Sequence, residues 1–199
     1  MRESIVSMGI PVMMAYDILR RKEIAGKDVL IIGGGAVGCE TAQYLARDAA
    51  LSPEQIYFML EHRAESLDWI MEAMNKTRRN ITIVDIVKIG AGFEPGTGWP
   101  VFKDLKRLGV KQCSFAKIKA VKESSVVIEM TDKETQNPTE LDIPCDTLVM
   151  AVGAKPNHGL YDQLKELGIR VYNLGDSDKV GKVLDAVRDA YNLAVSIGK

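Results

Sequence analysis

Cysteine and histidine are scarce in this 199-residue sequence, and what there is of them does not cluster. The three cysteines, Cys39, Cys113 and Cys145, are far apart and odd in number, with no C-x-x-C pair and no Cys/His group. That spacing argues against a disulfide framework, a bound metal and a thiol-redox pair. The two histidines, His62 and His158, are isolated, and a surface position suits each better than a catalytic one. Net charge is −1, with Lys and Arg scattered rather than striped, which leaves no electrostatic footprint for nucleic acid. No apolar run reaches the length of a membrane span, and no signal-peptide pattern opens the chain. A cytoplasmic protein without membrane or nucleic-acid partners is therefore expected. No residue stands out as acid, base or nucleophile, and no catalytic residue is assigned.

What is present is a glycine pattern in the surroundings it requires. Residues 29–32, Val-Leu-Ile-Ile, form an apolar strand pattern, and a helical pattern through Ala42, Leu45 and Ala46 follows. Between them Gly33, Gly35 and Gly38 fall on the G-x-G-x-x-G spacing of a dinucleotide site. The first glycine permits the tight turn, the second a close approach to pyrophosphate, the third close helix–strand packing. With Gly34, Ala36 and Val37 they place free N–H groups and a partial positive charge at the phosphates. Cys39, in the first turn of that helix, reads as a small packed residue rather than an activated thiol.

A Rossmann sheet needs a second strand ending in an acid. Glu61 lies at the customary distance, but residues 52–55, Ser-Pro-Glu-Gln, are a capping box with proline at the first helical position, and Leu51 and Ile56 are placed as its hydrophobic staple. A second stripe, Leu67, Ile70, Met71 and Met74, follows Ser66, so residues 51–78 read as a helical insertion. Core packing is the plainer explanation for Met59, Met71 and Met74. The second strand is placed at 81–85, Ile-Thr-Ile-Val-Asp, with Asp85 accepting hydrogen bonds from the adenosine ribose and favouring NAD over NADP. Arg78 and Arg79, at the opposite end of that strand, are expected to be solvated.

The glycine-rich stretch 90–98 is expected beside the cofactor or as a lip on the substrate side. A helix through Val101, Leu105 and Leu108 stops at Gly109. Strands at 113–121, 125–130 and 140–143, the last two separated by a turn at 132–138, suggest a β-meander laid over the parallel sheet. A buried strand from 147 ends at Gly153-Ala154, a helix covers 160–167, a strand 170–176 closes in Gly175-Asp176, and an amphipathic helix runs over 183–197. Residues 1–24 read as an arm, extended over 4–13, with a short helical stripe at Ala15, Ile18 and Leu19.

Three motifs in order, G-G-G-A-V-G-C-E-T-A, A-V-G-A-K-P-N and V-Y-N-L-G-D-S, resemble the C-terminal nucleotide-binding region of Old Yellow Enzyme-related NADH:flavin oxidoreductases, the 2-enoate and 2,4-dienoyl-CoA reductase group. The resemblance implies an α/β protein: a Rossmann-like parallel sheet with β-meander, helical insertion and part of a second, FAD-type domain. In that scheme residues 1–24 and 155–199 belong to the FAD-type half, and 25–154 form the NAD(H)-binding domain. Gly33, Gly35, Gly38 and Asp85 would hold NADH, Gly153 and Ala154 would lie at the junction of the two nucleotide sites, and Gly175 and Asp176 would approach FAD. The FMN barrel, the iron–sulfur cysteines and FAD's own glycine motif have no counterpart here. A fragment or truncated homologue is therefore expected, inactive by itself, doubtful in FAD binding, and working with the rest of a parent enzyme or a separate subunit. The amphipathic last helix further suggests a homodimer. A non-enzymatic NAD(H)-responsive protein, or a folded remnant without cofactor affinity, are the alternatives.

Overall fold

The computed structural model describes residues 9–131 and 138–197. The chain divides into two compact units, Met1–Val152 and Gly153–Lys199. In chain order the first contains β1 (Val12–Met14), α1 (Ala15–Leu19), β2 (Asp28–Ile32), α2 (Ala36–Asp48), α3 (Pro53–Glu61), α4 (Leu67–Ala73), β3 (Asn80–Asp85) and α5 (Trp99–Arg107). It continues with β4 (Lys111–Ser114), β5 (Ala116–Val121), β6 (Ser125–Thr131), β7 (Pro138–Pro144) and β8 (Thr147–Met150). Five strands form a parallel sheet in the order β1-β8-β2-β3-β4, while β5-β6-β7 make a separate antiparallel meander.

Strand alternation sorts the apolar residues into two cores. Val29, Ile31, Ile81, Ile83 and Val149 join the helices on one face, packing with Cys39, Ala42, Leu45 and Leu105. Leu30, Val84, Leu148 and Met150 join the meander on the other, packing with Val126 and Ile128. With both faces covered, β8 is buried throughout, as parallel strands generally are.

Several expectations are corrected. Residues 9–24 are not an arm: β1 pairs with β8, and Ala15 and Ile18 of α1 are buried in the helix-side core, which removes their apolar surface from water. Residues 1–8 of that expected arm lie outside the described residues. The stretch 113–121 is two strands, because Phe115 takes φ +57°, a left-handed conformation that breaks a strand, between β4 in one sheet and β5 in the other. The expected turn at 132–138 lies outside the described residues but for Pro138. Arg79 is no solvated cation: its side chain is only 15% exposed and donates to the carbonyls of Gly26 and Leu45 and to Asp48. Arg78 Nε donates to Ala49, so both arginines occupy carbonyl groups at the C-terminal end of α2.

The helical insertion is present. The Ser52 hydroxyl accepts the Gln55 N–H at 3.2 Å, and the Gln55 amide oxygen accepts the Ser52 N–H at 3.0 Å, completing the capping box. Its methionines do not enter the core. In α3 no residue is buried, and α4 buries Ile70 alone, because these short helices carry apolar residues on more than one face and only one can turn inward.

The second unit contains α6 (Gly159–Glu166), a 3-10 turn (Gly175–Ser177) and α7 (Val183–Ile197). The strand expected at 170–176 does not form. Among the described residues no strand pairs with it, and a strand is held by such ladder hydrogen bonds. Among the described residues, too, no helix is long and apolar enough to cross a membrane.

Asp104 joins α5 to α2. It accepts hydrogen bonds from Gln43 Nε2 at 2.8 Å, Arg47 Nε at 2.7 Å and Arg107 Nη2 at 3.2 Å. Burial opposes its charge, but these donors outweigh burial and hold the carboxyl below the usual carboxylate range. A depressed carboxyl contributes stability above its unfolded pKa, and that contribution is lost as pH falls through the folded value. We expect Asp104→Asn to lower stability at pH 7 by about 1–3 kcal/mol. In chemical denaturation the deficit should shrink as pH falls from about 4 through the depressed folded value; a deficit unchanged by acid would show that the charge is irrelevant.

Candidate functional site

Strands β2, β3 and β8 end level with one another, Ile32 being in register with both Val84 and Met150. Gly33, Asp85 and Ala151 therefore stand side by side at the C-terminal edge of the sheet, where open α/β sheets hold their ligands. Gly33 turns the chain with φ +105°, its N–H donating to the Val84 carbonyl at 2.9 Å. A Cβ there would lie 2.5 Å from the Ala151 carbonyl oxygen, so glycine is required twice over. At Gly38 a Cβ would fall inside the Gly33 carbonyl oxygen. Helix α2 therefore sits directly on the turn that starts it.

Asp85 does more than end β3. Its Oδ2 accepts the Gly34 N–H at 2.6 Å and its Oδ1 accepts the Val87 N–H at 3.1 Å. Each oxygen keeps a lone pair for a further donor. Sequence reasoning anticipated the acid but not its grip on the glycine loop; a short side chain just across the strand end is the signal that could have suggested it. The next residues close the same corner. Ile89 lies where a Gly34 side chain would be, its N–H donates to Ser114 Oγ at 3.1 Å, and the Gly90 N–H donates to the Gly34 carbonyl at 2.7 Å. The stretch 90–98 thus starts against the glycine motif.

The residues fit a dinucleotide. Among the described residues, and apart from its own chain neighbours, no atom lies within 4 Å of where a Gly35 Cβ would stand, so the second motif glycine faces open space. Gly35 caps α2 without a side-chain hydrogen bond, and no acid occupies the first turn. By helix geometry the N–H groups of Ala36, Val37 and Gly38 have no acceptor within α2. An anion at this end would meet those donors and the positive end of the helix dipole.

The other residues of interest lie elsewhere. Cys39 is fully buried with its thiol toward the Gly34 carbonyl, and burial, then the Glu40 and Asp85 carboxylates, push its pKa up to about 11. Burial likewise raises Cys113, and raises Cys145 to about 11. Glu61 ends α3 in the insertion, and His62 rests its ring on Phe58, centroids 4.4 Å apart. Gly153 and Ala154 open the second unit, exposed, with Gly153 at φ +61°. Gly175, at φ +59°, and Asp176 lie in the 3-10 turn, where Asp176 Oδ1 accepts the Gly181 N–H at 3.0 Å. His158 Nδ1 meets Asn173 Nδ2 at 2.9 Å within the same unit.

Residues 7–183 match the family model of the pyridine nucleotide-disulphide oxidoreductases. The chain belongs to this family. Members bind FAD and pyridine nucleotides, which agrees with the motif and with the expected kinship to flavin-dependent reductases. A metal reductase of Desulforamulus reducens is 30% identical over 191 residues, covering 96% of this chain and 28% of the relative. An NADH oxidase of Thermoanaerobacter brockii is 28% identical over 190 residues, covering 94% and 24%. The solved complex of 2-naphthoyl-CoA reductase with 2-naphthoyl-CoA superposes with TM-score 0.67 at 20% identity, over 92% of this chain and 23% of that one, which shows the shared fold. The chain thus spans about a quarter of the length of the proteins it matches.

Two outcomes follow from this geometry. Gly38→Ala should cost about 3 kcal/mol, the upper end for overpacking, whereas Gly35→Ala should cost under about 1 kcal/mol in thermal unfolding. Comparable losses would mean that α2 can shift off the turn. Iodoacetamide should leave Cys39 and Cys145 unmodified in the native protein at pH 8 and label both rapidly in denaturant, as read by mass spectrometry. Rapid native labelling of Cys39 would contradict its buried, protonated state.

Proposed function

We propose that this chain is the NADH-binding electron-input module of a flavin-dependent oxidoreductase, and that it works in the cytoplasm. The observation that carries the reading is the common edge of β2 and β3, where an open, glycine-lined helix N-terminus stands beside the Asp85 carboxylate. Gly33, Gly34, Gly35, Ala36, Val37 and Gly38 form the cradle for the pyrophosphate, with N–H donors from the start of α2. The adenosine ribose hydroxyls donate to the lone pairs that Asp85 keeps. A 2′-phosphate would meet that carboxylate charge to charge, so NADH is preferred over NADPH.

NADH supplies the hydride when bound, and the chain's own residues bind and orient it. Because Asp85 is already fixed by Gly34 and Val87, little ordering remains to be done on binding. Gly153 and Ala154 are assigned to the nicotinamide side and Gly175 and Asp176 to the flavin. Asp176 has one oxygen engaged by its own loop, so a ribityl hydroxyl or water is its better partner than a phosphate. The flavin site is completed by the rest of a larger flavoenzyme, and this chain alone binds FAD weakly.

Calorimetric titration with NADH and NADPH tests the reading. The native chain should bind NADH with Kd on the order of 10 μM and NADPH about tenfold more weakly. Asp85→Asn should lose about tenfold for NADH and narrow the preference, while Glu61→Ala behaves as wild type. No heat with NADH, or an Asp85→Asn variant that binds as well as wild type, would overturn it.

A further inference from the structure

We propose that Gly92, together with Gly35, keeps the dinucleotide site clear: lacking a side chain, it leaves a phosphate oxygen room to reach the Ala36 N–H. The inference rests on the reading of the glycine motif as an NADH site and adds a residue from outside that motif.

The chain after β3 returns across the motif. Ile89 packs on Gly34, and the Gly90 N–H donates to the Gly34 carbonyl. Two residues on, Gly92 lies over the start of α2. A Cβ built there would stand 3.3 Å from the Ala36 nitrogen, 3.5 Å from Gly35 Cα and 3.8 Å from the Gly35 carbonyl carbon. These three are its nearest neighbours, so the position faces the cradle rather than the core.

The glycines of this stretch have different reasons to be glycine. Gly90 and Gly96 take φ +87° and +82°, which a side chain would strain. Gly92 does not: its φ lies outside the left-handed region. Packing constrains the position only by a narrow margin: at 3.3 Å from the Ala36 nitrogen, a methyl requires the loop or the start of α2 to give by a few tenths of an ångström. What a side chain would cost is approach. A phosphate oxygen bonds an N–H at about 2.7–3.2 Å, in the same shell around Ala36 that a Cβ would occupy. With Gly35 open on its own side, the cradle is bounded by two bare backbones, and its donors are reserved for the ligand's phosphates.

Gly92→Ala, Gly92→Val and, as a bulk control one residue away, Ala91→Val test the proposal by calorimetry with NADH and with ADP-ribose, which lacks the nicotinamide. Thermal unfolding should change little in all three. Gly92→Val should weaken both ligands by a similar factor, about tenfold to a hundredfold, with a smaller loss for Gly92→Ala and none for Ala91→Val. If Gly92→Val unfolds, Gly92→Ala carries the same comparison. Binding by the Gly92 variants equal to wild type, or a loss matched by Ala91→Val, would overturn the proposal while leaving the NADH reading intact. A wild-type chain that binds neither ligand would overturn both.

Discussion

Helix α2 meets the end of β2 with no side chain between them. A Cβ on Gly38 has nowhere to go but into the Gly33 carbonyl, and a Cβ on Gly33 would press on the Ala151 carbonyl. Two strand ends, those of β2 and β8, and one helix are thereby held at backbone contact distance. From that contact the rest of the first unit takes its arrangement. Cys39, Ala42, Leu45 and Ala46 fall on the face of α2 turned to the sheet, and all are buried. At the other end Arg78 and Arg79 hold the last carbonyls of α2 beside the start of β3. The helix is fixed at both ends, and its position sets where the N-terminal donors lie.

Electrostatics at the site follow the same economy. The helix N-terminus carries no acid in its first turn and no side-chain cap, so its own first turn does not compete for its donors. The nearest thiol, Cys39, is kept neutral by burial and by the Glu40 and Asp85 carboxylates. Asp85 brings a negative charge to the glycine loop through the Gly34 N–H. Charge that serves stability is kept elsewhere: Asp104 binds α2 to α5, and Asp146 accepts the Lys27 and Asp28 N–H groups at the opposite end of the sheet.

Outside this frame the chain keeps much apolar surface in view. Tyr57, Phe58 and Leu67 of the insertion are more than half exposed, as are Val183, Leu184 and Tyr191 of α7. Exposed apolar patches of this kind are ordinary at protein–protein contacts.

Sequence alone determined the elements whose cause is local. The glycine spacing, the β-branched run to Asp85, the Ser52–Gln55 capping box and the stop at Gly109 each act within a few residues, and each appears where it was read. What depended on distant partners was not legible. Phe115 divides one apparent strand between two sheets, and whether β1 joins a sheet depends on β8, far along the chain. A run at 170–176 with strand composition stays irregular, since backbone pairing needs a neighbour that composition does not reveal. Asp85 illustrates both halves. Its place after a strand could be read from order alone, but its bonds to Gly34 and Val87 exist only because folding sets β3 beside β2 in one register. Sequence names the donors and acceptors; tertiary structure decides which of them meet, because hydrogen bonds and steric exclusion act over about 3 Å whatever the separation along the chain.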